Sequence, residues 1–388
     1  MRWEKETVQM TNSRGLASDI RAYGNIRDKR KEIEQIVAAN LKLPLATILG
    51  KWNEPGRYYH DLSHLDNLIG QIYELNDARR VPLVLLALMH DVIYNPRSFD
   101  NEDASREFFE RHVKFGCSFK EIVGEGIEHT KYQGKKKPKS EIIRTFLLMD
   151  LKGLFTGDMS KLLLDEKKIF RECQWIDYAV YRDTKSDLLV HTAEKYGWLL
   201  PKREQAASLA RVRAFADYLR ARRPNVGVYA GSYNPFHIGH MNILHQAEKI
   251  FDKVIIAVGM NPEKADQQNW QAVAQERTNA ITKQLPFHQV EAFRGFLAHY
   301  LERKAKDQDV TLIRGIRDGF DLRQEVIQLR YVQQLYPDLK VVYIPCKKEF
   351  EHISSSWLRL LESIEPGSSI PYLCGTQQDA WMDRAKKE

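Results

Sequence analysis

The sequence predicts two domains of different class: an all-α domain over residues 1–222 and an α/β domain built on a parallel sheet over residues 223–388. Three observations carry that expectation. A chain of 388 residues is longer than one hydrophobic core usually serves. Its first half repeats apolar residues at three-to-four spacing, whereas its second half alternates short β-rich runs with helical stretches. Between them, "YLRARRPN" (218–225) reads as a helix end followed by a linker.

In the first half, "LSHLDNLIGQIYEL", "VPLVLLALMHDVIY" and "NEDASREFFERHV" each show a helical period with few β-branched runs. Pro82 stands where a helix would start. "KYQGKKKPKSE" (131–141) reads as a solvated basic loop that ends one helix before "IIRTFLLMDL" begins the next. In the second half, "VGVYAG", "KVIIAVGM", "VTLIRG" and "KVVYIP" read as strands. Helices between successive strands imply crossover connections, and hence parallel pairing.

Composition narrows the function classes. A hydrophobic fraction of 43% with 29% charged residues is that of a soluble globular chain. The formal charge of +7 suits anionic ligands. No basic helix with interleaved aromatics occurs, which argues against nucleic acid. The four cysteines, Cys117, Cys173, Cys346 and Cys374, form no paired metal motif and suit a reducing compartment. The charged start "MRWEKETVQM" is no signal peptide, and no run of about 18 apolar residues is present. The expectation is a cytoplasmic protein without a membrane partner.

Chemistry concentrates first in "VGVYAGSYNPFHIGHMNIL" (226–244). A strand ending at Gly231 would place Ser232 to His240 over the carboxyl edge of the sheet, where ligands of open parallel sheets bind. A helix starting near Gly239 or His240 would aim free backbone N–H groups at an anion. Glycine permits close approach to a phosphate, and imidazole can donate to its oxygens.

Further motifs follow in order: Lys264 in "MNPEK", Glu276-Arg277, "LIRGIRDGFDLRQE" (312–325) and "FEHISSS" (350–356). With Gly231-Ser232-Tyr233-Asn234-Pro235 and Gly239-His240, this half resembles the His/Thr-x-Gly-His nucleotidyltransferases, phosphopantetheine adenylyltransferase most closely. The resemblance implies a Rossmann-like domain that transfers an adenylyl group from ATP to a phosphate monoester and releases pyrophosphate, with Mg²⁺ accompanying the ATP. It implies catalytic roles for His240, Lys264 and Arg317. ATP contacts would come from Ser232, Tyr233, His237, Gly315, Glu325, Phe350, Ser354, Ser355 and Ser356, and acceptor contacts from Ser232, Lys264 and Arg314. It also implies a homo-oligomer and a place in coenzyme A biosynthesis.

Three positions depart from that pattern. His237 stands where pantetheine enzymes usually carry threonine, and Tyr331-Val332 stands where they carry a Met-Asn pair that helps bind the pantetheine arm. Adenylyl transfer to nicotinamide mononucleotide, or cytidylyl transfer from CTP, is the alternative within enzymes. A nucleotide sensor or nucleic-acid-binding protein is the alternative outside them.

The first half carries a second constellation. "RYYHDLSHLDNLI" sets His60 and His64 four apart on one helical face, "LALMHDVIY" sets His90-Asp91 at the end of an apolar helix, and "TFLLMDLKGL" places Asp150 in another. Histidines and carboxylates drawn from separate helices suit a divalent metal. With "YHDLSH", "HDVIYNP" and "DNEDAS", this half resembles the HD-domain metal-dependent phosphohydrolases. The resemblance implies His64, His90, Asp91 and Asp150 as ligands of Mn²⁺, Mg²⁺, Fe²⁺ or Ni²⁺, with His60, Glu102 and His129 as further site residues.

Overall fold

Ile26, Ile33 and Val37 recur at helical spacing and are almost fully buried, and the same logic builds one helix after another in the first half. The computed structural model describes residues 22–75, 78–132, 137–260 and 269–374. It begins with α1 (Gly24–Asn40), α2 (Leu45–Trp52), α3 (Leu62–Leu75), α4 (Arg80–Met89) and α5 (Asn101–His112). There follow α6 (Lys120–His129), α7 (Glu141–Asp150), α8 (Lys152–Thr156), α9 (Met159–Glu172), α10 (Tyr178–Tyr196) and α11 (Lys202–Ala221). Helix α4 is apolar all round, and every residue from Pro82 to Met89 is buried, so it runs through the centre of its core.

Beyond α11 the order is β1 (Asn225–Gly231), α12 (Ile238–Ala247), β2 (Lys253–Met260), α13 (Trp270–Gln284) and β3 (Gln289–Arg294). The rest is α14 (Leu297–Lys304), β4 (Asp309–Ile316), α15 (Gly319–Leu335), β5 (Lys340–Pro345) and α16 (Ser355–Ile364). The strands form one parallel sheet in the order β3-β2-β1-β4-β5. Side chains alternate across it: Val226, Val228 and Ala230 enter the core on one face, and Tyr229 enters the core on the other. With both faces covered, β1 and β2 read as almost unbroken apolar runs.

The chain divides into two compact units, Met1–Glu172 with Thr184–Arg220, and Cys173–Asp183 with Ala221–Glu388. The seam at residues 220/221 lies beside the change in sequence texture. The assignment of Cys173–Asp183 to the second unit is not visible in that texture. Its cause is polar: Gln174 accepts from the Val254 N–H at 3.4 Å, and the Ile176 carbonyl accepts from Lys253 Nζ at 2.6 Å. Strand β3 is likewise absent from the sequence reading. It is an edge strand mixing Gln289, Glu291 and Arg294 with apolar residues, so it offers no continuous apolar run. Among the described residues no helix is long and apolar enough to cross a membrane.

Candidate functional site

Parallel strands β1 and β4 lie side by side at the centre of the sheet, and their following chains depart toward opposite edges. That switch point opens a crevice at their carboxyl ends. A cavity of about 280 Å³ lies there, lined by residues that include His237, His240, Arg314, Arg317, Glu325 and Ser354. Helix α12 begins at Ile238, so the backbone N–H of Gly239 belongs to its first turn, where no intrahelical partner exists. Helix α16 brings a second N-terminus to the same space through Ser354 and Ser355. Two helix starts and two arginines facing one cavity are an arrangement that suits an anion.

Local sequence explains the shape. Gly315 must lack a side chain, because a Cβ there would lie 2.8 Å from Ile243 Cγ1. Gly239 sits under the His237 ring, and a Cβ would meet it at 3.1 Å. Tyr233 holds a left-handed backbone (φ 44°), with its hydroxyl donating to the Tyr229 carbonyl at 2.8 Å. Ser355 Oγ donates to the Pro235 carbonyl at 2.9 Å and joins the start of α16 to the loop before α12.

His240 is poised as a neutral donor. Its Nδ1 accepts from the His237 backbone N–H at 3.2 Å, which puts the ring hydrogen on Nε2. Burial, then His237 and Arg317, hold its pKa well below the ordinary histidine value. The His237 ring stacks on it at 3.6 Å. Arg314 donates from Nε to Glu325 at 2.5 Å and from Nη1 to the Ala230 carbonyl at 3.1 Å. Arg317 grips Asp321 with Nε at 2.6 Å and Nη2 at 2.8 Å.

His237 gives the second unit a definite pH dependence. Burial, and then Arg317, lower its pKa to about 4. Between that value and the unfolded value of roughly 6.5 the unfolded chain binds the extra proton, so stability falls as pH drops through this window. At about 1.4 kcal/mol per unit, going from pH 6.5 to 4.5 costs roughly 2–3 kcal/mol. Urea unfolding of His237→Thr should lose about 2 kcal/mol less than the unsubstituted chain over that range. Equal losses in the two proteins would contradict it.

In the first unit, His64 on α3, His90 at the end of α4 and Asp150 at the end of α7 offer ligand atoms within 4.8 Å of one another. The buried His64 Nε2 lies 3.2 Å from Asp150 Oδ1, and the buried His90 Nε2 lies 3.9 Å from the same oxygen. His90 Nδ1 meets the Ala87 carbonyl at 3.0 Å, which turns its Nε2 toward the cluster. The Tyr132 hydroxyl donates to Asp150 Oδ2. Burial opposes a charge on His90, but Asp91 and Asp150 outweigh it and hold the pKa up at about 9. This donor set fits a divalent cation.

The other expected residues of this unit lie around the trio. Asp91 Oδ2 is 3.1 Å from His90 Nε2 but is not one of the three mutually close donors. Glu102, in the first turn of α5, and His129, at the end of α6, also fall outside it. His60 does not share a helical face with His64, because α3 starts only at Leu62; it is tied to Glu172, Nδ1 to Oε2 at 2.7 Å, and its ring stacks on Tyr94 at 4.4 Å.

Glu172 was not among the expected residues. Fully buried, it accepts the backbone N–H groups of Tyr58, Tyr59 and His60 at 2.7–2.9 Å and the Tyr94 hydroxyl at 2.7 Å. Burial opposes its charge, yet His60 and these donors hold its pKa down to about 2. Glu172→Ala should destabilise the first unit by about 3–5 kcal/mol, since it strands buried donors. Denaturant unfolding measures this, and a loss below about 1 kcal/mol would refute the role.

Comparison with known proteins now bears on the crevice. Residues 228–360 match the family described as "Cytidylyltransferase-like". The phosphopantetheine adenylyltransferase of Buchnera aphidicola (subsp. Schizaphis graminum) is 33% identical over 153 residues, 38% of this chain and 87% of that one. Those of Neisseria meningitidis serogroup C and Rhodopirellula baltica are 32% identical over 138 residues and 28% over 140. These matches cover 35% and 36% of this chain and 78% and 76% of theirs. The chain belongs to the phosphopantetheine adenylyltransferase family.

Most of the residues implied by that family gather in the crevice. His237, His240, Tyr233, Arg314, Gly315, Arg317, Glu325, Phe350, Ser354 and Ser355 all line it. Ser232 and Ser356 do not; Ser232 offers its carbonyl to Arg277 at 3.3 Å, and Ser356 Oγ accepts from Arg359 at 3.3 Å. Lys264 lies outside the described residues. Tyr331 is 68% exposed and Val332 packs into the core on one face of the sheet, and neither of these two lines the crevice, whereas the third departing residue, His237, does. Asp321 was missed, although Arg317 four residues earlier is an i,i+4 signal for the pair.

Proposed function

We propose that the second unit transfers an adenylyl group from ATP to phosphopantetheine, or a closely related phosphate monoester, releasing pyrophosphate as a step of coenzyme A biosynthesis. The observation that carries this reading is the single crevice where two helix N-termini, His240, Arg314 and Arg317 face one another. An oxygen of the acceptor phosphate bonds to the α-phosphorus while the bond to the α–β bridging oxygen breaks. Pyrophosphate leaves with that electron pair, and Mg²⁺ carried by the ATP offsets its charge.

Such a transfer needs alignment and charge dispersal rather than a protein nucleophile. His240 Nε2–H donates to the α-phosphate, and its neutral state spares it any proton transfer at physiological pH. Arg317 takes the β/γ end, where a planar fork matches phosphate oxygens. Arg314 serves the acceptor phosphate, and its ion pair with Glu325 holds the guanidinium ready at the end of β4. The family resemblance assigns Lys264, outside the described residues, to the acceptor phosphate and the reacting centre. An exposed apolar stripe on α15, Phe320, Ile327, Tyr331 and Leu335, supports a homo-oligomeric state.

A panel of acceptors with ATP and with CTP, read by pyrophosphate release, tests the assignment. Turnover with ATP and phosphopantetheine is the expected result. Turnover confined to nicotinamide mononucleotide, or to CTP, would reassign the substrate. ATP binding without any turnover would favour a sensor.

We further propose that the first unit is an HD-type phosphohydrolase holding one divalent metal, Mn²⁺, Mg²⁺, Fe²⁺ or Ni²⁺, on His64, His90 and Asp150. The convergence of two largely buried imidazoles and a carboxylate on one point supports it. The metal would supply an acidified water and charge for a phosphoester. The protein's part is orientation: the Ala87 carbonyl sets the His90 ring, Tyr132 steadies Asp150, and Glu172 fixes His60 at the margin.

A further inference from the structure

The metal-ligand cluster of the first unit opens into a cavity of about 70 Å³, and that cavity has a polar lining of its own. One water needs roughly 10–15 Å³ by this measure, so the space holds about five waters: room for one phosphate group and none for a nucleobase. His64 and Asp150 supply part of its lining. Further polar groups in its lining come from Tyr59, from Ser63 and Asn67 on α3, and from Lys161, Asp165 and Lys168 on α9.

The α9 residues are spaced to act together. Lys161, Asp165 and Lys168 fall at i, i+4 and i+7 and share one helical face. Lys161 is committed to an ion pair with Asp165. Lys168 is not so committed. Its Nζ meets the Ser63 hydroxyl at 3.3 Å, and among the described residues it has no carboxylate within salt-bridge reach. Ser63 Oγ in turn donates to Asp61 Oδ1 at 2.5 Å, so its lone pairs accept from the ammonium. Lys168 is thereby anchored at the cavity with two N–H donors to spare.

We infer that Lys168, with the Asn67 side-chain amide, holds the phosphate of a phosphate monoester beside His64 and Asp150. This rests on the metal-binding reading of that cluster. An ammonium on one side and a divalent cation on the other complement a dianion. The small volume admits the phosphate and leaves the ester's alcohol part outside. In hydrolysis the ester P–O bond breaks, the water oxygen bonds to phosphorus, and a proton from that water ends on the released alcohol. Inorganic phosphate is then the product left in the cavity, and it is the natural probe.

The experiment uses the full chain, Mn²⁺ and inorganic phosphate without nucleotide. Electron paramagnetic resonance of free Mn²⁺ gives metal affinity, and broadening of the ³¹P resonance reports phosphate bound next to the metal. The unsubstituted chain should bind both. Lys168→Gln should weaken phosphate at least tenfold with Mn²⁺ affinity changed less than twofold, while Lys167→Gln, its exposed neighbour, should alter neither. If Mn²⁺ fails to bind, the metal reading falls and this inference falls with it. If Mn²⁺ binds but phosphate does not, or binds Lys168→Gln equally well, the phosphate role alone is overturned. ATP-dependent pyrophosphate release should be unchanged in Lys168→Gln.

Discussion

Replacing His240 by alanine is expected to lower kcat for pyrophosphate release by about 10²–10³-fold while weakening ATP binding less than about tenfold. The asymmetry follows from its geometry. Two helix starts and the crevice arginines remain to hold the triphosphate in the ground state. The Nε2–H donor matters most where charge builds on the α-phosphate during transfer. Because Nδ1 is already occupied by the His237 N–H, asparagine offers a partial replacement as donor and should recover some of the loss, whereas alanine cannot. Rapid-quench or steady-state pyrophosphate assays with ATP titrations separate the two parameters. A variant that loses ATP affinity and kcat in equal measure would show ground-state binding instead.

The second large effect concerns the first unit. The double variant His90→Ala, Asp91→Ala should lose more than about 100-fold in Mn²⁺ affinity and any phosphatase activity, while the second unit keeps its pyrophosphate release. His90 is 1% exposed, and its Nε2 is one of three mutually close donors. Removing it leaves His64 and Asp150, too few protein ligands for a tight site. Removing Asp91 as well takes away the carboxylate nearest that nitrogen. Metal analysis after dialysis against Mn²⁺ checks the outcome. Full occupancy in the double variant would reject the ligand assignment.

What could be read in advance followed from local chemistry. The strand–turn–helix from Val226 to Leu244 was legible because its glycines, histidines and apolar run each have one sensible place at a parallel strand's carboxyl edge. His64, His90 and Asp150 were legible because polar residues set in apolar helices need a common purpose. Glu172 was not. It lies 112 residues from His60 in sequence, at the last residue of an ordinary amphipathic helix, and only the folded chain reveals the backbone donors it collects. Strand β3 and the Cys173–Asp183 segment were hidden for a similar reason, since their placement depends on distant polar partners rather than on any local period. Val332 illustrates the converse: it stands at a motif position that helps bind the pantetheine arm in the family, yet here it packs against the core.

The most direct measurement is a crystal structure of the full chain with α,β-methylene-ATP, Mg²⁺ and phosphopantetheine. The expected result places the α-phosphate within hydrogen-bond distance of His240 Nε2, the β and γ oxygens at Arg317 and the start of α16, and the acceptor phosphate beside Arg314 in line with the α-phosphorus. Nucleotide bound elsewhere, with the crevice between β1 and β4 left to solvent, would contradict it.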